Sequence, residues 1–69
     1  MKKVITVEGM MCQHCVAHVT KALQGIDGVN GVEVNLKKKT ATVELSKEIE
    51  NDAFVAAITD AGYEVKKIS

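Results

Sequence analysis

The chemistry-bearing side chains of this chain are concentrated in one stretch, Gly9-Met10-Met11-Cys12-Gln13-His14-Cys15. Two thiols stand three positions apart, preceded by two thioethers and separated by an amide and an imidazole. A C-x-x-C pair in a reducing compartment reads as metal-binding or redox-active rather than as a structural crosslink. Thiolate and thioether donors select copper(I), Cu(I), among the cellular metals. That ion accepts two sulfurs in a near-linear arrangement, so Cys12 and Cys15 make a complete set of ligands. Structural zinc usually takes four ligands, which only Cys12, Cys15, His14 and His18 could supply, and the chain has no second C-x-x-C. The c-type haem signature requires His directly after the second cysteine, where this chain has Val16.

The rival chemistry is thiol–disulfide exchange, because C-x-x-C between a strand and a helix is also the local pattern of an oxidoreductase. Three features oppose it. The chain is short for a thioredoxin-like domain, its hairpin between the helices gives a different element order, and it has no proline to form a cis-proline loop beside the thiols.

The elements that must position this stretch are legible from periodicity. Lys3 to Glu8 alternates apolar and polar as a half-buried strand does, and Gly9 breaks it. Met10 to His14 reads as a loop. From about Cys15 the period changes, and Val16, Val19, Leu23 and Ile26 line one helix face until Asp27-Gly28 stops it. Cys15 then falls in the first helical turn, where exposed N–H groups and the helix dipole lower a thiol pKa. Val32, Val34 and Leu36 form a second strand. Lys37-Lys38-Lys39 is a solvated turn, and Ala41, Val43 and Leu45 form a third strand paired with the second. Asn51-Asp52 is expected to cap a second helix with Phe54, Ala57, Ile58 and Ala61 facing the core. Gly62 closes that helix, and a fourth strand with Tyr63 and Val65 follows.

Strand, helix, strand, strand, helix, strand is the split βαβ plan. The expected fold is α+β: a ferredoxin-like βαββαβ sandwich whose four-stranded antiparallel sheet carries both helices on one face. At 69 residues, positions 1–69 make a single domain with a modest core.

Composition narrows the function further. Nine basic and nine acidic residues cancel, which argues against nucleic acid as a partner. The aromatic residues are Phe54 and Tyr63 alone, so no stacking platform for bases exists. Met1-Lys2-Lys3 is followed by Val4-Ile5-Thr6-Val7 and then Glu8, well short of the roughly 7–15 apolar residues of a secretory signal. Direct membrane insertion is not expected, and the cytoplasm is the expected location.

With these residues placed, the chain resembles the heavy-metal-associated domain family. Gly9-Met10-Met11-Cys12-Gln13-His14-Cys15 is similar to its G-M-x-C-x-x-C signature, and Ala61-Gly62-Tyr63-Glu64-Val65 to its closing segment. The likeness covers the whole chain and is strongest to free bacterial copper chaperones of the CopZ type. It implies a cytosolic copper(I) carrier rather than an enzyme. The implied partners are a copper-transporting P-type ATPase or a copper-responsive repressor, and a metal-bridged homodimer is a further expectation. A metal-binding domain of a copper ATPase is the tethered alternative; the start at Met1 with Lys2-Lys3 and the end at Ser69 favour a free protein.

The resemblance assigns Cys12 and Cys15 as ligands and leaves their neighbours in lesser roles. Met10 is expected to pack under the loop, and Met11, where relatives often carry Ser or Thr, to be exposed as a shield or a partner contact. Zinc-exporting relatives tend to have Asp at that place, so Met11 leans the reading toward copper(I). His14 is expected to face solvent and ligate only in a dimer. His18 is expected to be a surface helix residue. Tyr63 matches the loop position near the metal where bacterial chaperones carry Tyr; its ring can cap the core while covering the metal loop.

Overall fold

Alternation along Lys2–Glu8 produces strand β1, and the later segments follow in order: helix α1 over Gln13–Gln24, β2 over Val29–Asn35, β3 over Thr40–Leu45, α2 over Asn51–Asp60 and β4 over Glu64–Ile68. The computed structural model describes residues 1–69. All strand pairs are antiparallel, in the order β2-β3-β1-β4. The expected ferredoxin-like βαββαβ architecture is therefore present. No helix is long and apolar enough to cross a membrane.

Side chains of alternate strand residues point to opposite faces. Ile5 and Val7 of β1 and Ala41, Val43 and Leu45 of β3 are buried on the helical side, against Val19 and Leu23 of α1 and Phe54 and Ile58 of α2. Each of these side chains other than Ala41 contributes about 1.5–3 kcal/mol on full burial. No polar or charged residue is buried in this core. The opposite face carries exposed residues, among them Glu8 and Glu64, which stand opposite one another across β1 and β4. Lys66 Nζ lies 3.7 Å from Glu8 and 3.4 Å from Glu64, offsetting their repulsion.

Several boundaries differ from the sequence expectation. Helix α1 begins at Gln13 with Cys12 as its N-cap, so Gln13 and His14 are helical rather than loop. It ends at Gln24, ahead of Asp27-Gly28, and Ile26 packs against the core from beyond the helix. Asn51 is the first residue of α2 and not its cap. Glu50 holds the cap position without a side-chain hydrogen bond. The Asn51 side chain is engaged elsewhere: its Oδ1 accepts from Lys3 Nζ, which also donates to the Ile49 carbonyl at 3.4 Å. The same ammonium lies 5.9 Å from the centroid of the Phe54 ring, so Lys3 ties β1 to the start of α2. Ala61 is the C-cap of α2 and only half-buried, and Tyr63 precedes β4 rather than belonging to it.

Candidate metal centre

The site forms where β1 runs into α1. Gly9, at φ +99°, turns the chain in a backbone region that other residues rarely adopt. Met10 then dives into the core, 1% exposed, while Met11 stands out at 84%. Cys12 is extended, and its carbonyl accepts the first intrahelical bond from Val16 N–H at 3.1 Å.

Counting from that cap places Cys15 at the third helical position. These are the two positions that a capping box links reciprocally, each side chain reaching the other's backbone N–H. Here they bring two sulfurs together: Cys12 Sγ and Cys15 Sγ are 3.4 Å apart. Both cysteines are free thiols, Cys12 exposed and Cys15 half-buried with its side chain against the core. The side chain of Cys12 makes no cap hydrogen bond, and α1 has no acidic residue in its first turn. The positive end of the helix therefore faces the thiol pair without a competing carboxylate.

The second wall comes from the far end of α2. Gly62 N–H bonds to the Thr59 carbonyl at 3.0 Å and Tyr63 N–H to that of Ile58 at 3.1 Å. With Gly62 at φ +97°, this is a Schellman ending, which satisfies otherwise unpaired carbonyls. Tyr63 is the residue that the motif delivers just beyond the helix. Pairing of Glu8 with Glu64 then sets Tyr63 beside Gly9. A Cβ on Gly9 would lie 3.3 Å from Tyr63 Cδ1, so the glycine also leaves room for the ring.

The electrostatics centre on Cys15, whose pKa is lowered to about 7. The first cause is hydrogen bonding from the Tyr63 side chain. The backbone of Met11 and the side chain of Cys12 act next in the same direction, and burial opposes them. The shift has the direction expected from the helix N-terminus, but its leading cause is a residue forty-eight positions away. Conversely, the Tyr63 pKa is raised, first by hydrogen bonding to the Cys15 side chain and then by burial and the charge of the neighbouring thiolates.

Tyr63 Oη is also 3.4 Å from His18 Nδ1, a pairing invisible to sequence reasoning. His18 is exposed, as expected of a surface helix residue, yet it reaches the ring that borders the thiols. The signal that could have pointed to it is its spacing, three residues beyond Cys15 and on the same helix face. His14 is exposed at the second helical position. No group of three or more His, Cys, Asp or Glu side chains converges as a metal-ligand set. The structure thus brings together Cys12, Cys15 and Tyr63, buries Met10 beneath them, and leaves Met11 and His14 outside. What remains is a paired-thiol donor set, suited to a soft ion of low coordination number.

A βαββαβ sandwich with paired thiols at its first strand–helix junction defines a class of small metal-handling domains. Residues 4–64 match the heavy-metal-associated domain, and the chain belongs to that family. It is 38% identical over 69 residues to the copper chaperone CopZ of Enterococcus hirae, covering 99% of this chain and 100% of that protein. It is 43% identical over 61 residues to copper-transporting ATPase 1 of Rhizobium meliloti, covering 88% of this chain but 7% of the ATPase. Among solved structures it is similar to a CopZ metallochaperone, with a TM-score of 0.88 and 36% identity, covering 96% of this chain and all of that one.

Proposed function

We propose that this protein is a cytoplasmic copper(I) carrier that holds its cargo between Cys12 and Cys15 and releases it by ligand exchange. The observation that carries this reading is the pair of free sulfurs 3.4 Å apart, one exposed and one half-buried. Two thiolates suffice for copper(I), whereas structural zinc requires more ligands than converge here. The names borne by relatives, a copper chaperone matched along its whole length and a copper-transporting ATPase matched over a small part, support the same cargo.

The asymmetry of the pair suits transfer. Cys15 is fixed on a helix and held partly as thiolate near neutral pH, while Cys12 lies at the exposed cap. A partner thiolate approaches from the Cys12 side and makes a third bond to the metal. Cys12 then leaves, a second thiolate of the partner binds, and Cys15 leaves in turn, so that each step exchanges one soft ligand for another. Copper(I) keeps its charge throughout, no bond to carbon changes, and the protein acts as a carrier rather than an enzyme. The recipients this chemistry fits are a copper-transporting P-type ATPase, through its own C-x-x-C domain, or a copper-responsive repressor. A homodimer in which facing thiol pairs share the metal is compatible with the same exposed pair.

The test is substitution of the ligands one at a time. Cys12→Ser and Cys15→Ser are each expected to abolish tight copper(I) binding and to keep the circular dichroism of the parent. Retention of tight binding by either variant would overturn the two-thiol site.

A further inference from the structure

His14 and His18 are the two imidazoles of the chain, and the copper(I) reading uses neither as a ligand. Both are exposed on α1, four residues apart. One helical turn separates such positions, so their Cβ atoms lie about 5–6 Å apart on one face. Two histidines at this spacing on a helix can hold one metal ion, as in the H-E-x-x-H arrangement of metalloproteases. Of the residues between them, Cys15 and Val16 are half-buried, and the exposed Ala17 adds only a methyl group to that face.

A second observation concerns how His18 is held. Its Nδ1 lies 3.4 Å from Tyr63 Oη, which leaves Nε2 as the free ring nitrogen. A neutral imidazole carries one proton, and a ring that ligates through Nε2 carries it on Nδ1. The tyrosine oxygen is then its acceptor, the kind of partner that fixes tautomer and ring orientation in metal sites. Tyr63 is itself anchored, by packing against the core and by the Schellman end of α2.

Donor type decides the ion. Thiolates select copper(I), whereas imidazole nitrogen suits copper(II), nickel(II) and zinc(II). Copper(II) stands highest in the affinity order and takes nitrogen and oxygen donors in a square arrangement, so two adjacent imidazoles leave places for water. Two features oppose a cation here: the helix N-terminus beside His14, and the exposed Lys21 three residues beyond His18. The helix end weakens such a site by about two- to fivefold, less than a second imidazole strengthens it. We infer that His14 and His18 form a bidentate site for a divalent transition-metal ion, copper(II) foremost, with His18 oriented by Tyr63. Its donors are distinct from the thiol pair, so the site does not depend on the copper(I) reading.

The test uses the Cys12→Ser, Cys15→Ser double variant, because copper(II) oxidises free thiols. Titration with copper(II), followed by electron paramagnetic resonance, is expected to show one ion per monomeric chain with two imidazole nitrogens in its equatorial plane. Nickel(II) and zinc(II) are expected to bind at the same place more weakly. His14→Ala and His18→Ala, both at exposed helical positions, should each lower copper(II) affinity by about tenfold or more. Tyr63→Phe should lower it by about three- to tenfold, the effect of one hydrogen bond. Binding that survives both histidine substitutions would place the ion elsewhere, such as the amino terminus, and overturns the inference. One imidazole per copper, or one copper shared by two chains, overturns it equally, and an unchanged affinity in Tyr63→Phe overturns the orienting role. Should the double variant not fold, the parent protein with both thiols alkylated takes its place in the same titration.

Discussion

Gly9 and Tyr63 stand against one another at the mouth of the thiol site, a Cβ on the glycine falling 3.3 Å from the tyrosine ring. Gly62, at nearly the same φ, would project its Cβ into open space. The pair separates backbone strain from steric displacement. Gly62→Ala is expected to cost about 1 kcal/mol from the backbone alone. Gly9→Ala is expected to cost more, about 1–3 kcal/mol, because the ring must also move. Urea unfolding of the two variants measures both, and a smaller loss for Gly9→Ala contradicts the packing described.

Titration of Cys15 is tied to the same ring. The thiol is held at about 7, first by the Tyr63 side chain, so alkylation of Cys15 in a Cys12→Ser background should rise with pH around neutrality. That background also removes the smaller contribution of the Cys12 side chain, so the midpoint there is expected somewhat above the parent's. Adding Tyr63→Phe removes the leading cause and moves the midpoint further up, toward the 9.0 of an ordinary thiol. An unchanged midpoint on that second substitution would assign the lowering to the helix end instead.

The same shift sets a sign for stability. A thiol that ionises more readily folded than unfolded leaves the unfolded chain holding more protons between about 7 and 9.0. Stability of the metal-free protein therefore rises with pH across that window, and the gain is lost as pH falls through about 7. Cys15→Ser should flatten this slope. Thermal unfolding at several pH values under reducing conditions reads it directly.

Adjacent methionines make a contrasting pair. Met10 is 1% exposed and Met11 84%. Met10→Ala is expected to destabilise by about 2–5 kcal/mol through lost burial and a cavity. Met11→Ala should stay within about 0.5 kcal/mol of the parent. Equal losses in denaturant titrations would mean that the loop is packed differently.

Those two methionines were legible in the sequence, as were both thiols and the order of all six elements. The strands announce themselves by alternation because one sheet face is buried and the other is wet. Helix ends were less legible, for a physical reason in each case. Cys12 serves as an N-cap without the side-chain hydrogen bond that makes Ser, Thr, Asp or Asn recognisable there. Asn51 carries the cap signature but gives its side chain to Lys3 instead. The pairings that shape the site, His18 with Tyr63 at 3.4 Å and Tyr63 acting on the Cys15 thiol, join residues more than forty positions apart. Local pattern holds no record of them, because they depend on the register between β1 and β4 and on where α2 ends.

The proposed copper(I) site rests on two thiols alone. It is tested most directly by anaerobic titration of the reduced protein with copper(I) against a chromophoric chelator, with zinc(II) run in parallel. The expected result is strong capture of copper(I) at one ion or fewer per chain, lost on cysteine alkylation, with weak binding of zinc. Failure to compete for copper(I), or a clear preference for zinc, would contradict it.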